Sequence, residues 1–118
     1  MDKHYLTIGE GRTKVCLLTY HMGNDLVVCL YNEYSHIGAV AVGEYDPGEG
    51  RASCSVITRL GHKDDAVAYK AAHSISKHTQ NSVCVIAGIH IDKITKREIE
   101  QVLENTDRLM DKFLSEID

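Results

Sequence analysis

The sequence lacks the marks of several functional classes. It has no tryptophan and one proline, Pro47. No run of about 18 apolar residues occurs, so no helical membrane span is expected. The amino-terminal MDKHYLTIGEGRTK carries no apolar signal-peptide core, and the chain reads as cytoplasmic. Positive charge is not in excess: 13 Lys and Arg stand against 17 Asp and Glu, a formal net charge of −4. A general nucleic-acid binder needs a basic stripe to neutralise phosphates, and this balance offers none. Cys16, Cys29, Cys54 and Cys84 form no CxxC pair, which excludes zinc-ribbon and thioredoxin-type readings. Each lies in an apolar stretch and reads as a small hydrophobe. Without an export signal, a disulfide framework is not expected. There is no GxSxG, and no cysteine sits on a loop beside a histidine, so nucleophilic catalysis has no visible candidate.

What is present describes one domain over residues 1–118, with 43% hydrophobic and 25% charged residues and enough length for its own core. The first half reads as strands over 4–8, 14–22, 26–31, 37–45 and 52–60. Turn-rich Gly9-Glu10-Gly11, Gly23-Asn24-Asp25 and Pro47-Gly48-Glu49-Gly50 separate several of them. The pattern then changes. Asp64 or Asp65 can cap a helix over 66–78. A nearly continuous apolar run over 82–91 suits a central strand covered on both faces. Thr95 and Glu98 make a capping box for a final helix. Its apolar stripe is Ile99, Val102, Leu103, Leu109, Met110, Phe113, Leu114 and Ile117, which reads as packing against the sheet. The expected fold is α+β: a largely antiparallel six-stranded sheet covered by two helices, in the order β-β-β-β-β-α-β-α. The passage from the fifth to the sixth strand has the form of a parallel crossover. Two helices leave part of such a sheet uncovered, for a second copy or a ligand to cover.

Seven histidines stand out, because histidine titrates near neutrality, binds metals and stacks on flat ligands. His4, His21, His73 and His78 read as surface or packing residues. The other three lie at strand–loop boundaries beside glycine or acid: His36 in SHIGAV, His62 in GHKDD and His90 in GIHID. Strand alternation puts Gly88, His90 and Asp92 on one face and Ile89 and Ile91 on the other. A missing side chain at Gly88 admits either a ligand or a close backbone neighbour. The small residues Gly38, Ala39, Ala41 and Gly43 equally admit a planar ligand or a close helix. Gly61-His62-Lys63 before a helix start resembles an anion site, although Asp64 and Asp65 oppose it and no P-loop spacing is present. His36, His62, His90 and Asp92 include the donor types a divalent metal takes, but from separate segments without a ligand spacing.

HIGAVAV at 36–42, GHKDD at 61–65 and AGIHIDKIT at 87–95 resemble the prenylated-flavin chaperone family, the LpdD-like components that accompany UbiD-type decarboxylases. The resemblance implies a homodimeric carrier with a fold similar to proteasome-assembly chaperones. It implies that prenylated FMN is bound and handed to an apo-decarboxylase, without turnover. Carried over by motif, the cofactor-binding residues are His36, Gly38, His62, Lys63, Asp65, Gly88, His90 and Asp92. Gly38 and Gly88 would open a flat gap, Lys63 or His62 would meet the phosphate, and His36, His90 and Asp92 would clamp the ring. Two other readings compete. One is a metal-dependent enzyme built on the three histidines and Asp92. The other is a protein-assembly chaperone that takes no small ligand.

Overall fold

The computed structural model describes residues 4–59 and 64–117. Six strands and two helices follow in the expected order: β1 (Tyr5–Ile8), β2 (Val15–Met22), β3 (Asp25–Tyr31), β4 (Ala39–Asp46), β5 (Arg51–Thr58), α1 (Asp65–Thr79), β6 (Val83–Gly88) and α2 (Lys96–Glu116). A 3-10 turn, Gly11–Thr13, joins β1 to β2. The strands form one sheet in the order β1-β2-β3-β6-β4-β5. The sheet is mixed: β3 and β6 run parallel, and the other neighbouring pairs are antiparallel. The passage β5–α1–β6 is a parallel crossover that steps over β4. It inserts β6 between β3 and β4, so the central strand comes late in the chain.

Both helices lie on one face of the sheet. α1 covers β4, β5 and β6, and α2 covers β1 and β2. Alternation sends Val15 and Leu17, Val28 and Leu30, Val85 and Ala87, and Ala39 and Ala41 to that face, where all are buried. They meet Ala68, Ala72 and Ile75 of α1 and Leu109 and Phe113 of α2. The small residues of β4 are thereby explained. Ala39 and Ala41 let the alanine face of α1 approach the sheet closely, so that strand serves helix packing rather than a planar ligand. On α2 the expected stripe is too wide. Val102, Leu109, Met110 and Phe113 are buried, whereas Ile99 and Leu103 stay 44% and 47% exposed. Asn105 takes a buried place instead, and its Nδ2 donates to the Thr13 carbonyl at 2.9 Å.

The capping box of α2 is formed. Glu98 N–H donates to Thr95 Oγ1 at 3.1 Å, and Thr95 N–H donates to Glu98 Oε1 at 3.0 Å. Thr95→Ala is expected to cost about 1 kcal/mol in chemical denaturation. The Glu98 carboxyl is held below its ordinary value, first by the Thr95 backbone N–H, with Arg12 contributing. Its stabilising contribution is present above the unfolded-state value and lost as pH falls through the lowered folded value. Glu98→Gln should flatten that part of the acid unfolding profile. At α1, Asp64 occupies the N-cap position but makes no side-chain cap hydrogen bond. Its carboxylate is engaged elsewhere.

Candidate functional site

The sheet face opposite the helices carries Leu18 of β2, Val27 and Cys29 of β3, Cys84 and Ile86 of β6, and Val40 and Val42 of β4. None of these is buried among the described residues. At the end of this face where β3 and β6 finish, a cleft of about 860 Å³ opens. Its lining includes Tyr5, Arg12, Lys14, Cys16, Tyr31, Asn32, Glu33, Tyr34, His90 and Asp92. Tyr5, Cys16 and Tyr31 reach it because register places them on the open face. Cys16 lies opposite both Thr7 and Tyr31, and Tyr31 lies opposite Gly88.

These floor residues are tied together. Tyr5 Oη donates to Cys16 Sγ at 3.9 Å. The Tyr5 phenol is pushed above its ordinary value, first by that hydrogen bond. The Tyr31 phenol is pushed up by burial, with Cys16 adding. Both phenols therefore remain protonated through neutral pH, the Tyr5 hydroxyl proton being directed at Cys16. Burial likewise raises the Cys29 thiol, with neighbouring Cys84 adding, so it is not an activated nucleophile.

Beyond Gly88 the chain leaves the sheet, three residues before the expected end of the strand. Asn32 then takes over the ladder. Its Nδ2 donates to the His90 carbonyl at 2.7 Å, and its Oδ1 accepts from His90 N–H at 3.0 Å. The side-chain amide thus acts as one more peptide unit of β3 and fixes the backbone that carries His90. Asn32→Leu leaves both His90 groups without these partners and is expected to cost about 2 kcal/mol in urea titration. The His90 ring packs beside that of His36, with centroids 5.6 Å apart and a 30° tilt. His90 Nε2 lies 2.9 Å from Asp92 Oδ1.

The expected site residues are thus largely brought together. His36, Gly38, Gly88, His90 and Asp92 gather where β3 and β6 end and β4 begins. The two glycines, however, do not open a flat gap. A Cβ at Gly88 would collide with the His36 carbonyl, and one at Gly38 with the Asp64 carboxylate. Asp64 Oδ1 also accepts from Ile89 N–H at 3.3 Å. Asp65 stands exposed on the first turn of α1, so Asp64 is the carboxylate that reaches this wall. His62 and Lys63 lie outside the described residues. Among the described residues no three His, Cys, Asp or Glu side chains are arranged to hold a metal ion, and no helix is long and apolar enough to cross a membrane. Spacing did not point to Tyr5, Arg12, Lys14, Cys16, Tyr31 or Asn32. The available signals were an aromatic at the non-core end of a strand, two cations around the Gly11–Thr13 turn and an Asn directly after Tyr31.

No curated protein matches the sequence. Solved structures do match the fold. One is a chain from a chaperone complex for yeast 20S proteasome assembly, with a TM-score of 0.67 and 13% identity, covering 99% of this chain and 98% of that one. At that identity the likeness concerns the fold alone. The prenylated flavin chaperone LpdD-like domain matches residues 9–118, nearly the whole sequence, and the chain belongs to that family.

Proposed function

We propose that the chain is a non-catalytic carrier that binds prenylated FMN in the open-face cleft and passes it to a UbiD-type decarboxylase. Family membership supports the cofactor class. The observation that carries the reading is the lining of one cleft by Tyr5, Tyr31, Tyr34, Arg12, Lys14 and His90. Its volume of about 860 Å³ is within the range of small-molecule sites, about 300–1,000 Å³. Aromatic rings offer a surface for the flat ring system, and cations offer a place for the phosphate.

The carrier reading includes a homodimer through the open sheet face. Six strands about 4.8 Å apart make a face roughly 29 Å wide. Its footprint is comparable to the about 800 Å² that each partner contributes to a standard interface. The cleft is continuous with this face, so a second copy would roof it. Ile86→Asp, which places a charge at the centre of the face, should shift the protein from dimer to monomer in light scattering.

The test is a titration of the apo-protein with prenylated FMN and, separately, with FMN, followed by visible absorbance and thermal shift. Selective uptake of the prenylated form is expected, with an about tenfold loss for His90→Ala. The loaded protein should then restore decarboxylation to an apo-decarboxylase. Uptake of neither flavin would contradict the reading. It would favour a protein-assembly chaperone, which the exposed sheet face would also serve.

A further inference from the structure

Resting on the carrier reading, we infer that Lys14 is the anion anchor of the cleft and sets its preference for a phosphorylated over a dephosphorylated flavin. The described cleft has two permanent cations, Arg12 and Lys14, which flank Thr13 where the 3-10 turn enters β2. Their situations differ. The Arg12 guanidinium is engaged by the protein through Nε and Nη2. It donates to the Asp92 carbonyl at 2.6 Å, and its Nε lies 2.9 Å from Glu98 Oε2. Its second contact with Glu98 is Nη2 to Oε1 at 3.4 Å. Arg12 therefore fastens the turn to the start of α2 and to the loop after His90, with its charge already compensated.

Lys14 is exposed and takes part in none of the ion pairs among the described residues. Of the two carboxylates on the wall, Asp92 faces His90, and Glu33 lies on the β3 side of the cleft. Lys14 is the permanent cation of the described lining that has no ion-pair partner among the described residues. A phosphate monoester carries a charge of about −1.5 to −2 at neutral pH and is well matched by an ammonium with rotatable donors. The Tyr5–Cys16–Tyr31 floor begins directly beside Lys14, since Cys16 is two residues further along the same strand face. A ligand with its ring on that floor brings its phosphate within reach of the lysine. The anchor is thus placed at the start of β2; the Gly61-His62-Lys63 segment lies outside the described residues.

The experiment measures binding of prenylated FMN and of the same compound after phosphatase treatment, using wild type, Lys14→Ala and Lys14→Arg. Lys14→Ala is expected to weaken prenylated FMN about tenfold and leave the dephosphorylated ligand unchanged. Lys14→Arg should restore most of the preference. Unchanged affinities for both ligands in Lys14→Ala would overturn the anchor while leaving the carrier reading standing. Equal weakening of both would also overturn it, because a charge anchor acts on the phosphate alone. Uptake of neither ligand by the wild type would overturn the carrier reading and the anchor with it.

Discussion

Gly88→Ala is expected to lose about 3 kcal/mol or more of stability and to disorder the His36–His90 wall in the same step. The added methyl would collide with the His36 carbonyl, which is backbone and cannot rotate aside. Relief requires the start of β4 to withdraw from β6. That movement strains the hydrogen bond from Gly38 N–H to the Ala87 carbonyl, 2.9 Å long, and the Ala39–Ala87 pairing beside it. A whole domain is stable by only about 5–15 kcal/mol, so the variant should melt far below the wild type. Gly43→Ala provides a comparison away from the cleft. Its Cβ would stand 2.5 Å from the Ala72 carbonyl oxygen and 2.9 Å from Ser76 Oγ, pushing α1 off the sheet. Gly43→Ala should destabilise without altering residual ligand affinity in the folded fraction. Gly88→Ala should lower both.

Phe113→Ala is expected to cost about 3–5 kcal/mol, the usual result of emptying a large buried site. Phe113 is fully buried and is the largest side chain in the core. It also holds the amino-terminal edge of the sheet, because the His4 ring meets it edge-on at 5.7 Å and 79°. His4 N–H in turn donates to Thr19 Oγ1 at 2.9 Å. Loss of the ring therefore loosens α2, β1 and the approach to Tyr5 together. The proposed dimer should be lost only through unfolding, with a single cooperative transition in circular dichroism and light scattering. Dissociation to a folded monomer would contradict the assignment of this α2 face to the core.

Much of the fold was legible because local signals agreed with tertiary ones. Thr95 and Glu98 announced the start of α2, and the switch from period-two to helical spacing marked α1. The His36 and His90 segments were legible together, since one precedes β4 and the other follows β6, while His62 lies outside the described residues. The partners of His90 were not. Asn32 and Tyr31 come from β3, and β3 meets β6 only through a parallel pairing that joins distant parts of the chain. No local periodicity encodes that neighbour. Arg12 and Lys14 were hidden for the same reason, because β1 and β2 reach the cleft through their register with β3. The glycines were legible as places of close approach, but not what approaches. At Gly88 it is backbone, and at Gly38 it is the carboxylate expected to cap α1. Ile99 and Leu103 were misplaced because helical spacing reports a stripe but not its width. On α2 the buried face turns toward Asn105, whose amide satisfies a backbone carbonyl.

The most direct test of a flavin site on the open face is to map amide chemical shifts while prenylated FMN is added to the isotopically labelled protein. The large shifts should fall on 11–16, 31–34 and 90–92, saturating at one ligand per chain, with the outer surfaces of α1 and α2 unmoved. Shifts confined to the groove between α1 and α2, around Lys70, Asp107 and Met110, would place the ligand on the wrong side of the sheet and contradict the account.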